Sequence, residues 1–137
     1  MKIGTEETYV EIEELERYPE GTPCSGDVKV NVTLAFQNFS GSYDEVWLEL
    51  AEMERFIMEL EILDEKRNCN AKISSMSPEE FALEIRSSDS SGHMEIEAHL
   101  HRYQYNGSKR WPTFLKGGFE TQPETIRRLI SYFKALV

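Results

Sequence analysis

The chain has little cysteine and no long apolar run. Only Cys24 and Cys69 occur among 137 residues, and neither belongs to a CxxC pair or a cluster of metal ligands. We expect two free thiols, because a catalytic thiolate needs a base and an electropositive setting, and neither is visible nearby. No apolar stretch approaches the length that spans a bilayer, and the first residues lack the apolar segment of a secretory signal. These absences favour a cytoplasmic protein that is not inserted in a membrane.

The local signatures of common catalytic sites are missing as well. The serines in ISSMS and RSSDSSG do not form a nucleophile elbow, and no glycine-rich phosphate loop, zinc-protease motif or redox pair is present. Carboxylates are abundant, but in so acidic a chain their spacing cannot identify two with raised pKa values. The sequence therefore predicts no enzyme, no catalytic residues and no cofactor.

Basic residues are fewer than acidic ones, and the difference is concentrated in the first half of the chain. The formal net charge is −10. Residues 1–65 carry seventeen acidic and four basic residues, a balance of −13, whereas residues 66–137 carry eight acidic and eleven basic residues, a balance of +3. Such a chain disfavours nucleic acid and anionic membranes, and favours a basic protein partner. Simple solubility is the alternative explanation.

One local feature runs against this charge argument. Tyr103, Tyr105 and Trp111 lie close to Lys109 and Arg110, a combination that can stack nucleic acid bases. Because the surrounding chain is acidic, we expect a hairpin tip with packed aromatic side chains instead.

Alternation of apolar and polar residues predicts seven short strands. Successive side chains of a strand point to opposite faces, so each such segment has one apolar and one polar face. Tight turns between most of them, such as Asn106-Gly107 and the turn at residues 38–42, require antiparallel pairing. The predicted strands are 8–13, 28–36, 43–48, 71–75, 80–86, 93–103 and 113–120.

Two segments have the helical period instead, near residues 50–65 and 122–136. The first lacks a local N-cap, and the second follows Thr121-Gln-Pro-Glu124, which has the form of a capping box. We predict one α+β domain over residues 1–137, with a single antiparallel sheet of about six or seven strands and two helices packed on one face. The predicted core comprises Val32, Leu34, Phe36, Ile57, Leu60, Ile96, Leu100, Ile130 and Phe133.

The segment HMEIEAHLHRY, residues 93–103, places all three histidines of the chain on the polar face of one strand. His99 and His101 could bind one metal ion together with Glu97, but a metal site usually needs a fourth ligand and an orienting shell. Exposed strand faces also collect polar residues without any such role. We therefore predict no metal site and keep a small metal- or ligand-binding domain built on Glu97, His99 and His101 as the alternative function.

The order of these patterns resembles a known family. The segment EVWLEL passes directly into an amphipathic helix, hairpin strands lead to SGHMEIEAHLHRY, and FLKGGFETQPETIRRLISYFKAL follows. Together they resemble the WapI family of immunity proteins, over about residues 26–136. The resemblance implies a small cytosolic protein that binds and blocks the toxic C-terminal domain of a wall-associated toxin, often an RNA-cleaving nuclease, without catalysis.

Such a partner agrees with the charge division, since nuclease domains that bind phosphates are commonly basic. We expect the acidic first half to contact the toxin domain, and we expect the protein to be a monomer or a weak homodimer. The predicted contact residues lie off the apolar faces of their strand and helix: Glu11, Glu13, Glu49, Glu52 and Glu59.

Overall fold

A computed structural model describes residues 1–137 and shows an α+β fold with eight strands and two helices. The first strand, of only three residues, was not predicted from the sequence. The elements in chain order are β1 (Lys2–Gly4), β2 (Thr8–Arg17), β3 (Val28–Phe36), β4 (Phe39–Leu48), α1 (Leu50–Lys66), β5 (Asn70–Ser74), β6 (Phe81–Ser87), β7 (Met94–Asn106), β8 (Lys109–Thr121) and α2 (Glu124–Leu136).

The strands form two sheets, so the prediction of a single sheet of six or seven strands is wrong. The first sheet has the order β1-β2-β3-β4 and the second the order β5-β6-β7-β8, and every pairing is antiparallel. Helix α1 lies between β4 and β5 in the chain, and these two strands do not pair. Alternation within a strand is the same whether its neighbour lies in the same sheet or in another one, and for that reason the sequence pattern did not reveal the division.

One hydrophobic core joins both sheets and both helices. The rings of Phe56 on α1 and Phe133 on α2 meet edge to face with centroids 5.0 Å apart. Neither helix is long and apolar enough to cross a membrane. Seven of the nine predicted core residues are buried, namely Val32, Leu34, Ile57, Leu60, Ile96, Leu100 and Phe133.

The other two predicted core residues, Phe36 and Ile130, are only partly buried and pack against the edge of the core. Phe36 ends β3 and reaches the second sheet, where a Cβ atom on Gly117 of β8 would lie 2.6 Å from its ring. Gly117 therefore leaves room for the ring where the two sheets meet.

The ends of α1 are fixed by different means. Its first backbone N–H, that of Leu50, donates to the Asp27 carboxylate at 2.9 Å, 23 residues earlier in the chain. This remote cap explains why no N-cap was visible in the sequence. At the other end Arg67 adopts a left-handed conformation with φ 57° and its N–H donates to the Leu63 carbonyl, a common helix ending.

The start of α2 differs from the prediction. The helix begins at Glu124, and no side chain caps its N-terminus. The Thr121 hydroxyl is instead hydrogen-bonded to the Thr125 hydroxyl at 2.6 Å, so the predicted capping box does not form.

Two hairpin turns are tighter than predicted. Phe36 pairs with Phe39, so β4 begins directly after Gln37-Asn38 rather than at residue 43. Asn106 pairs with Lys109, so the predicted Asn-Gly hairpin is present but β8 starts four residues earlier than expected. Strand β6 pairs with β7 only as far as Leu100, and the remainder of the β7–β8 hairpin, residues 102–113, projects as a two-stranded ribbon that we call the arm.

Candidate functional site

Strand β7 has the two faces that its alternation predicted. Met94, Ile96, Ala98 and Leu100 are buried, while the intervening Glu95, Glu97, His99 and His101 are partly exposed on the outer face of the second sheet.

An arginine from the neighbouring strand organises the carboxylates on this face. Arg86 of β6 donates from Nε to Glu95 at 2.8 Å, from Nη1 to Glu84 at 2.6 Å and from Nη2 to Glu97 at 3.1 Å. Lys116 of β8 also contacts Glu97, at 2.9 Å. Hydrogen bonds from Lys116 and then Arg86 lower the pKa of Glu97, so this carboxylate is held ionised and is already paired with two cations.

The three histidines have different surroundings. Burial, and then the nearby charges of Lys116 and Lys72, lower the pKa of His99. His93 lies before the strand and pairs with Asp89 at 2.8 Å, and this hydrogen bond raises its pKa. The rings of His99 and His101 each lie 5.7 Å from that of Phe114. No three His, Cys, Asp or Glu side chains converge in a way that could hold a metal ion.

The predicted partner-binding residues fall in separate places. Glu11 and Glu13 lie on β2 in the first sheet, opposite Thr33 and Asn31 of β3. Glu11 is partly buried and Glu13 is exposed. Both belong to the polar face of the strand, because the intervening Val10 and Ile12 are buried, and neither makes an ion pair within the chain.

The three predicted residues near α1 differ in their availability. Glu49 is exposed at the helix start and its side chain makes no capping bond. Glu52 and Glu59 instead both hold Arg55, whose Nη2 reaches Glu52 at 2.6 Å and the Lys72 carbonyl at 2.8 Å. Glu59 also accepts the Lys72 N–H at 2.9 Å. The Arg55 group therefore joins α1 to β5, and it uses two of the five predicted contact residues.

Sequence reasoning missed other acidic residues of the first sheet. Glu16 pairs with Lys29 at 3.0 Å, and this hydrogen bond is the largest cause of the raised pKa of Lys29, to which Glu45 and Asp44 of β4 also contribute. These carboxylates come from β2 and β4, on either side of β3. Only the strand register brings them together, and no local sequence signal reports it.

The comparisons with known proteins give one decisive result. The sequence model of the immunity protein WapI-like family matches residues 1–137. The chain belongs to this family. The match confirms the resemblance noted in the sequence and extends it beyond residues 26–136, to β1, β2 and the loop that follows them. No curated protein and no solved structure shows significant similarity to the chain.

Proposed function

We propose that this protein binds and neutralises the toxic domain of a cognate toxin, and that it does so by occupying that domain rather than by catalysing a reaction. The observation that carries the proposal is the match to the immunity protein WapI-like family over residues 1–137. The net charge of −10 favours a basic target, such as a nuclease domain that binds phosphates. We further propose that the protein acts in the cytoplasm as a monomer or weak homodimer.

Carboxylates of the first half of the chain supply the proposed contact. Glu11, Glu13 and Glu49 have no partner within the chain and can pair with cations of the toxin domain directly. Glu52 and Glu59 add to the negative electrostatic potential around α1, but they can contact the toxin domain directly only after they release Arg55. The free carboxylates on β2 and at the start of α1 are therefore the stronger candidates.

The acidic surface should act mainly on the rate of association. Complementary charges speed diffusional encounter, whereas the cost of removing a charged pair from water offsets much of its attraction once the interface is closed. Steering of this kind weakens as salt screens the charges.

The test is co-expression with the toxin domain encoded beside this gene, followed by binding kinetics at rising salt. The wild-type protein should rescue growth, and its association rate constant should fall as salt increases. Replacing Glu11, Glu13 and Glu49 together by Gln should lower that rate constant by about tenfold at low salt, within the range that electrostatic steering supplies.

A matched control separates a local contact from the loss of net charge. Glu79, Glu120 and Glu124 are exposed acidic residues of the second half without ion pairs, and their joint replacement by Gln removes the same charge. Failure of the wild-type protein to protect the cell would refute the immunity function. If the wild type protects the cell but both triple variants associate with the toxin domain at equal rates, the proposed acidic contact is refuted while the immunity function stands.

The alternative, metal or ligand binding at Glu97, His99 and His101, has less support. Glu97 is paired with Arg86 and Lys116, and a ligand that needs this carboxylate must displace both cations.

A further inference from the structure

The arm extends beyond the paired part of β6, and no third strand is hydrogen-bonded to it. Arg102 pairs with Thr113, and the pairing continues to Asn106 and Lys109 at the tip. Strand β6 has already ended its pairing with β7 at Leu100. A two-stranded ribbon is marginally stable by itself in water, so side-chain contacts must help to hold the arm in shape.

Large aromatic side chains are exposed on the arm and beside its base. Tyr103 is 43% exposed, Tyr105 76%, Trp111 50% and Phe114 59%. The expected hairpin tip with packed aromatics is therefore only partly correct: Tyr103 and Phe114 each pack beside the ring of His101, and Tyr103 and Trp111 lie under cations, but all four rings lie outside the core. Tyr and Trp are the residues that most often dominate protein–protein binding energy.

The arm also lies within the longest stretch of the chain that lacks acidic residues. Residues 98–119 contain no Asp or Glu, although the whole chain has 25 such residues. Arg102, Lys109 and Arg110 have no carboxylate partner within the chain, and each lies over an aromatic ring. Their distances to the ring centroids are 4.4 Å for Arg102 over Tyr43, 4.6 Å for Lys109 over Trp111 and 3.9 Å for Arg110 over Tyr103.

We propose that the arm is a toxin-binding element, which inserts its aromatic side chains into a cleft of the toxin domain that is rimmed with acidic residues. This inference rests on the proposed function and names a second contact surface, opposite in charge to the first. Stacking on a ring fixes the plane of a guanidinium while its N–H donors stay free for carboxylates. The arm thus presents ordered cations and aromatic anchors before it meets a partner, which reduces the entropy lost on binding.

The shape of the molecule disfavours a second copy of the chain as the occupant. A projecting ribbon needs a concave receptor, but the five principal cavities are all lined by residues 36–43 and 72–120. Their carboxylates offer the arm little complement. Glu79 and Glu80 line a cavity together with Arg102 and Tyr103 of the same arm, and Glu84, Glu95 and Glu97 are already paired with Arg86, which leaves Glu120. Nucleic acid is disfavoured by the net charge of −10.

The test compares two double variants of the full chain in binding to the same toxin domain. Tyr105→Ala with Trp111→Ala removes two arm aromatics, and Met58→Ala with Ile62→Ala removes two side chains of α1 that are 63% and 46% exposed. The arm variant should dissociate at least about tenfold faster, as expected for hot-spot residues, and the α1 control should dissociate like the wild type. Arg110→Gln, measured in parallel, should also accelerate dissociation. Thermal unfolding of each variant verifies that the fold is intact.

The outcomes separate this inference from the proposed function. If the wild type binds the toxin domain and all three variants bind equally well, the arm is not part of the interface, although the immunity function stands. If the wild type does not bind the toxin domain, both the role of the arm and the proposed immunity function are refuted. The inference is also overturned if the arm variant changes only self-association in sedimentation experiments, or only the binding of a single-stranded RNA oligonucleotide.

Discussion

Arg86 pairs with three carboxylates on the outer face of the second sheet. This pairing disfavours a metal site on β7, because Glu97 is already bound to a cation and is not free to act as a ligand. His99, next on the same face, lies in a half-buried position beside Lys116. Its neutral form is favoured in the folded protein.

The protonation of His99 should make stability depend on pH. Its pKa in the folded protein is lowered, so the unfolded chain takes up this proton first as the pH falls below about 6.5. The stability gained from keeping His99 neutral is therefore present above that pH, and it is lost as the pH falls through the pKa of His99 in the folded state. In urea unfolding, the free energy advantage of the wild type over His99→Gln should be smaller at about pH 5.5 than at about pH 7.5.

His93 does not disturb this comparison, although its pKa is shifted in the opposite direction. Its ion pair with Asp89 adds stability that is lost as the pH rises. Because the wild type and His99→Gln both contain this ion pair, its effect cancels when the two proteins are compared. A wild-type advantage that stays constant between the two pH values would show that the surroundings of His99 do not favour its neutral form.

At the scale of elements, α1 is attached to the second sheet by both apolar and polar contacts. Met53, Phe56 and Leu60 bury their side chains, while Arg55 joins the carboxylates of Glu52 and Glu59 to the backbone of Lys72 on β5. The sequence predicted the helix and its apolar face, because the 3.6-residue period is local. It could not predict the role of Glu52 and Glu59, because that role depends on which strand lies beside the helix.

Replacing Arg55 by Met should measure this attachment. The variant keeps an apolar side chain of similar length but loses the hydrogen bond to the Lys72 carbonyl and both ion pairs. We expect a loss of about 1 kcal/mol in the free energy of unfolding, since the group is largely exposed to solvent and screened.

Arg127→Met is the matched control for Arg55. Its guanidinium lies 3.6 Å from Asp64 and its side chain is 74% exposed, so denaturant titration should detect no loss. Equal effects of the two substitutions would mean that the Arg55 group does not contribute specifically to holding α1 on β5.

At the scale of the whole molecule, the two sheets and two helices share a single core. The sequence predicted the class of the fold and most of the strands, because alternation and turn residues such as Asn106-Gly107 are local signals. It could not predict the division into two sheets, which depends on whether β4 pairs with β5. It also missed β1, since the three residues Lys2–Gly4 are too few to establish an alternating pattern.

Phe133 tests the shared core directly. Its side chain is fully buried and meets Phe56 of α1, so Phe133→Ala removes a large side chain between the helices. We expect the free energy of unfolding to fall by about 3–5 kcal/mol, as for other large-to-small core substitutions. The exposed neighbour Ser131, replaced by Ala, should leave the denaturation midpoint nearly unchanged. A loss below about 1 kcal/mol for Phe133→Ala would contradict the close packing of the two helices.

The hydrogen bond from Leu50 to Asp27 makes the start of α1 depend on the first sheet. The carboxylate lies one residue before β3, so the first turn of α1 gains its cap only after that end of the first sheet is in place. The same helix is fastened to β5 through Arg55. Loosening either sheet therefore removes a support from α1 and, through it, from the other sheet. This coupling favours unfolding in one cooperative step rather than sheet by sheet.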